Sequence, residues 1–408
     1  MIGTFDEGPL RVGQFHIIDE YSKLGTFMLL RGSHYVSPYR LKYDDQIVLD
    51  RYHYSVNRFE YGVCDHLGSE PRMESFFTIQ QDLDIEELRY TPYFPVSYFA
   101  IYDGRGGEDA SKFLFYNLHY KIRNGINSIS PDIRKLSTPS ARTKQLETKN
   151  MEEKEDVKSS SEDLWSRTND ALAKCDAEIA RKMLAMIKKV FFDIDKYFWV
   201  NFHQFEEQSR QGSSAVVAII MGNIVFAVNL GDSSILLSRN FQACPMSTQH
   251  LPTRREETMR IEKCPDGFIA GDCVQGVMPV TRAIGHINMK KYSYSHDNDN
   301  RNAKNKRMFS TMSIQHVELN SSASLLLCEP DVEMTILEST DQFILLCCNG
   351  LFSLFKSPQV LVDLVKYTLI DMNGDAQRSA SKVIDVARRQ KSAPSNLSVI
   401  IILLHKWF

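Results

Sequence analysis

The sequence predicts an α+β fold, and three stretches carry that prediction. Residues 343–348 are six apolar residues without alternation, ended by Asn349-Gly350, the pattern of a strand buried on both faces that stops at a tight turn. Residues 215–230 form a second apolar run broken by Met221-Gly222-Asn223, which reads as a hairpin and not as a membrane span. Residues 98–102, Tyr-Phe-Ala-Ile-Tyr, read as a strand that runs through Asp103-Gly104-Arg105-Gly106-Gly107 into a helix over 108–123, with Ala110, Phe113, Leu114 and Leu118 on one face.

The bulk composition narrows the function classes. A chain of 408 residues, 43% hydrophobic and 24% charged, is long enough for one large domain or two ordinary ones with a sizeable core. A net charge of −3 argues against nucleic-acid binding, which needs a basic face to displace counterions. The eight cysteines include no C-x-x-C pair and several lie in apolar runs, so they read as small hydrophobes in a reducing compartment. No segment near the start pairs a basic region with an apolar one, and an intracellular location, cytoplasmic or nuclear, away from membranes, is expected.

Along the chain, residues 1–55 carry scattered Tyr and His without catalytic spacing and are read as an N-terminal extension to a domain over 56–408. A short strand enters a turn at 59–68, Arg72-Met73-Glu74-Ser75 follows, and residues 76–80 read as a second strand. The turn at Asp103 is either a Gly-rich turn with a capping Asp or a site where that carboxylate ligates a hard cation, since glycines let backbone carbonyls approach. Residues 126–162, rich in Ser, Lys and Glu, bury too little to offset ordering entropy and read as a disordered insert. Ser159 and Glu162 have capping-box spacing, and Met183, Ile187, Val190, Ile194 and Tyr197 keep a helical period to about Phe202, as in an amphipathic core helix. A second polar insert at 292–306 reads as part of a surface flap at about 288–320.

These units occur in the order of a known family. The turn at Asp103 is similar to an Asp-Gly-His-Gly-Gly motif, with Arg105 in the His position. Gly212-Ser213-Ser214-Ala215 and Asn229-Leu230-Gly231-Asp232-Ser233 flank the hairpin. Glu257-Thr258-Met259-Arg260-Ile261, Gln275-Gly276-Val277 and Val280-Thr281-Arg282-Ala283-Ile284-Gly285 follow, and then Cys328-Glu329-Pro330-Asp331-Val332 and Ser395-Asn396. Together, across about 59–408, they resemble the type 2C metal-dependent Ser/Thr protein phosphatases. The resemblance implies a four-layer α-β-β-α sandwich of two antiparallel sheets flanked by helices. It also implies a reaction in which two Mn²⁺ or Mg²⁺ ions, held mostly by aspartates, activate water against a phosphoserine or phosphothreonine.

Carried across by position, that site has lost carboxylates. Ser75, His286, Asn349 and Ser395 stand where the family has Asp, while Asp103, Gly104 and Glu74 remain. Gln249 replaces another Asp, and Glu70 stands where the family has a phosphate-binding Arg, with Arg72 out of register. Two divalent ions about 4 Å apart repel unless anionic ligands neutralise them. The expectation is therefore a degenerate member of the family, a pseudophosphatase that is not an enzyme, needs no cofactor and serves as a protein-interaction or scaffolding module, phosphoproteins being among its candidate partners. Arg105 or His286 is expected to compensate the charge of Asp103 in place of metal. The rival readings are a weak metal-dependent phosphatase using Asp103, Glu74 and His286, and a phosphopeptide-binding module without hydrolysis.

Overall fold

The computed structural model describes residues 59–68, 71–89, 91, 93–137, 161–294, 317–390 and 395–404, with six short strands inside the first 58 residues; side chains of the second long helix are described from residue 177. The chain divides into two units, Met1–Phe59 and Glu60–Phe408. In the first unit Ile2–Gly3, Phe15–Ile18, Phe27–Arg31 and Val36–Arg40 form an antiparallel sheet in chain order, and Gln46–Leu49 pairs with Tyr52–Ser55.

The second unit has two antiparallel sheets. In the first, β8 (Asp331–Ile336), β5 (Ile224–Leu230), β4 (Gly212–Met221), β3 (Val96–Arg105) and β2 (Ser75–Gln80) lie side by side, and Ile284–Gly285 pairs with the start of β4. In the second the order is β7 (Gln242–Pro245), β6 (Ser234–Arg239), β9 (Asp341–Cys347), β10 (Leu397–Leu403) and β1 (Glu60–His66). Strands β3 and β4 pack against β9 and β10 across the sandwich, α1 (Asp109–Ser137) and α2 (Ser161–Phe202) cover the first sheet, and α4 (Pro358–Asp371) and α5 (Ala376–Arg388) cover the second. This is the four-layer α-β-β-α arrangement of the α+β class. The short α3 (Arg255–Glu262) lies between β7 and β8 in the chain.

Strand alternation explains the layering. Tyr98, Ala100 and Tyr102 of β3 point into the core shared with α1 and α2, while Phe99, equally buried, meets Tyr61 of the opposite sheet with ring centroids 5.9 Å apart. On α1, Ala110, Leu114, Leu118, Ile122 and Ile126 are buried at four-residue spacing, and on α2 Met183, Ile187, Phe191, Ile194 and Phe198 line the facing stripe. Each such side chain contributes about 1.5–3 kcal/mol on burial. β9 is the middle strand of its sheet, with fully buried Leu346 between Ile235 and Ile400.

Three expectations change. The first helix runs to Ser137, so residues 126–137 belong to it and not to an insert: Ile126 and Ile133 continue its buried stripe. Pro131 inside it lacks an N–H for the Asn127 carbonyl, and the Ser130 hydroxyl donates to that carbonyl at 2.9 Å instead. Asn349-Gly350 opens a one-turn helix, Asn349–Phe352, and not a tight turn between strands. The flap begins inside the core, since Met289 and Lys290 are buried and Tyr292–Tyr294 pairs with Val317–Leu319. The rest of the expected insert, 138–160, including Ser159, and the flap residues 295–316 lie outside the described residues. Among the described residues no helix is long and apolar enough to cross a membrane.

Candidate functional site

The candidate site lies where β3 leaves its sheet. Asp103 pairs in register with Ser75 on one side and Ser214 on the other, so the end of β3 carries a carboxylate between two hydroxyl-bearing strands. The Ser75 hydroxyl donates to Asp103 Oδ1 at 2.5 Å, and the Asp103 carbonyl accepts from Ser213 and Ser214 at 3.2 and 3.4 Å. Ser75 thus orients the remaining carboxylate. Gly104 packs so tightly on the Glu74 carbonyl, donating its own N–H at 3.1 Å, that an added Cβ would stand 2.4 Å from that oxygen. Gly106 and Gly107 then turn the chain into α1 with φ of +78° and +139°, conformations that favour glycine.

Asp232, in the link from β5 to β6 two residues beyond Leu230, is 1% exposed and joins this group. Arg105 Nη2 reaches Asp232 Oδ2 at 3.2 Å, and the Asp232 carbonyl accepts from the Gln249 side-chain amide. The Asp103 carboxyl is pushed up to about 7, first by burial and then by the field of Asp232, with Glu74 adding to the rise; Ser75 and Arg105 oppose it. Reasoning from sequence passed over Asp232, although an acidic residue closing an apolar hairpin strand was a visible signal.

The other expected positions surround this point. Asn396 is buried and knits the approach loop: its Oδ1 accepts from Glu74 N at 2.6 Å and its amide donates to the carbonyls of Leu67 and Arg72. Ser395 Oγ and the Asn396 carbonyl press on Gly350, beside partly buried Asn349. Cys348 feels the charge of Asp103, which places the end of β9 at the same rim. Glu70 lies outside the described residues, and Arg72 is exposed.

His286 is buried, with a left-handed backbone of φ 46°. Its ring packs against Gly212, where a Cβ would stand 2.2 Å from Cδ2, and its Nδ1 lies 2.8 Å from the Arg210 carbonyl. Burial, with Lys290 and Arg105 nearby, lowers its pKa to about 4, so near pH 7 the ring is neutral. Of the two cations considered as partners for Asp103, only Arg105 therefore carries charge, and it sits on Asp232.

The family model "Protein phosphatase 2C" matches residues 139–395, more than half of the chain. The chain belongs to the protein phosphatase 2C family. It is 27% identical to the human integrin-linked kinase-associated serine/threonine phosphatase 2C over 76% of this chain and 60% of that protein. It is 24% identical to "Probable protein phosphatase 2C 43" of Arabidopsis thaliana over 76% of this chain and 56% of that one. The chain thus spans little more than half the length of these two relatives. Solved structures share the fold: a serine-threonine phosphatase 2C of Toxoplasma gondii at 15% identity and TM-score 0.55, covering 86% of this chain and 96% of that one, and a C. elegans sex determining protein at 18% and 0.53, covering 86% and 66%.

These findings overturn two expectations. The reading of the chain as not an enzyme gives way to membership in a family whose matched relatives are named phosphatases. The reading that no cofactor is needed gives way with it, because type 2C phosphatases are metal-dependent. Both expectations came from counting aspartates at family positions one at a time.

The residues present, among those described, do not close into a cage for a divalent ion, although the donors that approach Asp103 have the right chemistry. The donor set is all oxygen, with Asp103, Asp232, Glu74 and the backbone of Gly104, as Mg²⁺ or Mn²⁺ prefers. Among the described residues no three His, Cys, Asp or Glu side chains stand grouped as a metal cage.

Proposed function

We propose that this chain is a metal-dependent phosphatase acting on phosphoserine or phosphothreonine in proteins, with a rearranged site around Asp103. The observation that carries this reading is the acidic cluster at the end of β3, where Asp103 is oriented by the Ser75 hydroxyl and Arg105, two residues on, reaches buried Asp232 at 3.2 Å. Such a group is stabilised by a cation and destabilised without one. When bound, the ion supplies a water of lowered pKa and a charge that offsets the phosphoryl oxygens. The chain's own residues supply position: Ser75 fixes the Asp103 carboxylate, Gly104 holds the strand end against Glu74, and Asn396 ties Glu74 to the second sheet. With Ser75, His286, Asn349 and Ser395 at positions where the family has Asp, slow turnover is expected.

The test pairs Mn²⁺ titration by calorimetry with hydrolysis of a phosphothreonine peptide, on the wild-type chain and on Asp103→Asn. Heat of binding and slow, metal-dependent release of phosphate, both lost in Asp103→Asn, support the proposal. Absence of metal-dependent hydrolysis by the wild-type chain overturns it, and peptide binding without turnover would assign the fold to phosphopeptide recognition instead.

A further inference from the structure

His250 is fully buried and lies against the link that carries Asp232. Its Nδ1 accepts from Gly231 N at 3.0 Å, and its backbone N donates to the Gly231 carbonyl at 2.8 Å. An imidazole nitrogen that accepts carries no proton, so the ring proton sits on Nε2. Nε2 stands 3.1 Å from Asp331 Oδ2, at the start of β8, without the alignment of a full hydrogen bond. Asp331 is itself fixed: Arg254 Nη1 reaches its Oδ2 at 3.0 Å and Arg282 Nη1 its Oδ1 at 3.2 Å, while Arg282 also grips buried Glu257 of α3 at 2.5 Å. The His250 ring, with Arg254 and Arg282, holds the Asp331 carboxyl well below the usual carboxylate range.

The link itself has little freedom. Gly231 has φ of +103°, and an added Cβ would stand 2.4 Å from Ser214 Cβ. Ser214 donates to the Asp103 carbonyl at 3.4 Å, and Asp232, the residue after Gly231, meets Arg105 at 3.2 Å. A shift of Gly231 therefore moves Asp232 against Arg105 and presses on the strand that carries Asp103.

We infer that His250 is a positioning residue of the site: its ring, backed by Asp331 at Nε2, holds Gly231 through Nδ1 and so sets where Asp232 meets Arg105. This rests on the proposed phosphatase site and adds the group that fixes one of its carboxylates. A rigid ring with an acceptor on one side and a donor on the other can bridge a backbone amide and a carboxylate, which no aliphatic side chain does.

The test uses the full chain, His250→Asn and His250→Gln. Asn offers its amide oxygen near the place of Nδ1 but falls short of Asp331, whereas Gln extends toward Asp331 and leaves the Gly231 amide without its acceptor. Ring nitrogen NMR shifts of the wild-type chain near pH 7 should show Nδ1 bare and Nε2 protonated. A proton on Nδ1 overturns the inference, and this measurement depends on no variant folding. Hydrogen exchange at the Gly231 amide should be slow in the wild-type chain and in His250→Asn, and faster by about tenfold or more in His250→Gln. With a phosphothreonine peptide, kcat should fall about ten- to a hundredfold in His250→Gln while KM stays within about twofold, and His250→Asn should regain most of the loss. Equal losses in the two variants overturn the inference, since His250 would then only fill space. If the wild-type chain hydrolyses no peptide, the phosphatase reading fails, and the ring tautomer and the Gly231 exchange still decide whether His250 holds the link.

Discussion

The strongest single perturbation available away from the candidate site is at Lys290. Its ammonium and the Asp195 carboxylate are 0% and 1% exposed. Lys290 Nζ donates to Asp195 Oδ1 and Oδ2 at 2.8 and 2.7 Å and to the Ala283 carbonyl at 2.7 Å, while Asp195 also accepts from Gly285 N at 2.8 Å and from the Tyr292 hydroxyl. The cluster joins α2 to the segment that carries His286, and burial beside Asp195 pushes the Tyr292 hydroxyl and the Cys328 thiol upward. Lys290→Met keeps most of the stem volume and removes the charge, leaving a buried carboxylate with one amide and one phenol. Breaking such a pair costs about 3–5 kcal/mol, a large share of the ~5–15 kcal/mol that holds a domain folded. With a urea slope of about 3 kcal/mol/M for a domain of this size, the unfolding midpoint at pH 7 should fall by about 1–1.7 M. Lys290→Met with Asp195→Leu removes both charges and should cost less than the sum of the single variants by at least about 2 kcal/mol. A Lys290→Met cost under about 1 kcal/mol, or additive single costs, would show that the pair is not coupled in the core and would refute the reasoning.

Two further outcomes follow from burial. Leu346→Ala, at a fully buried position in the middle strand of the second sheet, should lower stability by about 2–5 kcal/mol in the same urea assay, and a cost under about 1 kcal/mol would contradict a central place for β9. His286 has a folded pKa of about 4, depressed from 6.5 mainly by burial, so between these values the unfolded chain binds the extra proton and stability falls as pH drops from about 6.5 toward 4, by roughly 3 kcal/mol in all. Asn tolerates the left-handed backbone, so His286→Asn should flatten that limb; an unchanged slope between pH 6.5 and 4 in this variant would assign the effect to other groups.

How much of this was legible in the sequence depends on whether the signal was local. The strand over 343–348, the hairpin over 215–230 and the strand, Gly turn and helix around Asp103 were readable because unbroken apolar runs and glycine pairs report burial and turns within a few residues. The helix end at Ser137 was not: polar composition suggested disorder, while Ile126 and Ile133, seven apart, were enough to bind the last turns of α1 to the core. Asp195 illustrates the limit from the other side. It falls on the same helical face as Phe191, Ile194 and Phe198, a position where a lone acid signals a buried partner, but nothing in the local pattern points to Lys290, 95 residues on.

The candidate site shows why motif comparison alone misjudged the chemistry. Matching positions one at a time counts Ser75, His286, Asn349 and Ser395 as losses, and such a count compares positions and not geometry. A metal site, however, responds to the summed field of its ligands and not to a roster, and that sum is set by approach through space. Asp232 lies 127 residues from Arg105, and only the meeting of the ends of β3 and β5 puts both beside Asp103. Ser75 is the hydroxyl that orients Asp103, and His286 is a neutral packing residue against Gly212. At this rim the cation that meets Asp232 is the guanidinium of Arg105, two residues along the same turn as Asp103, and no reading of either residue alone shows that pairing.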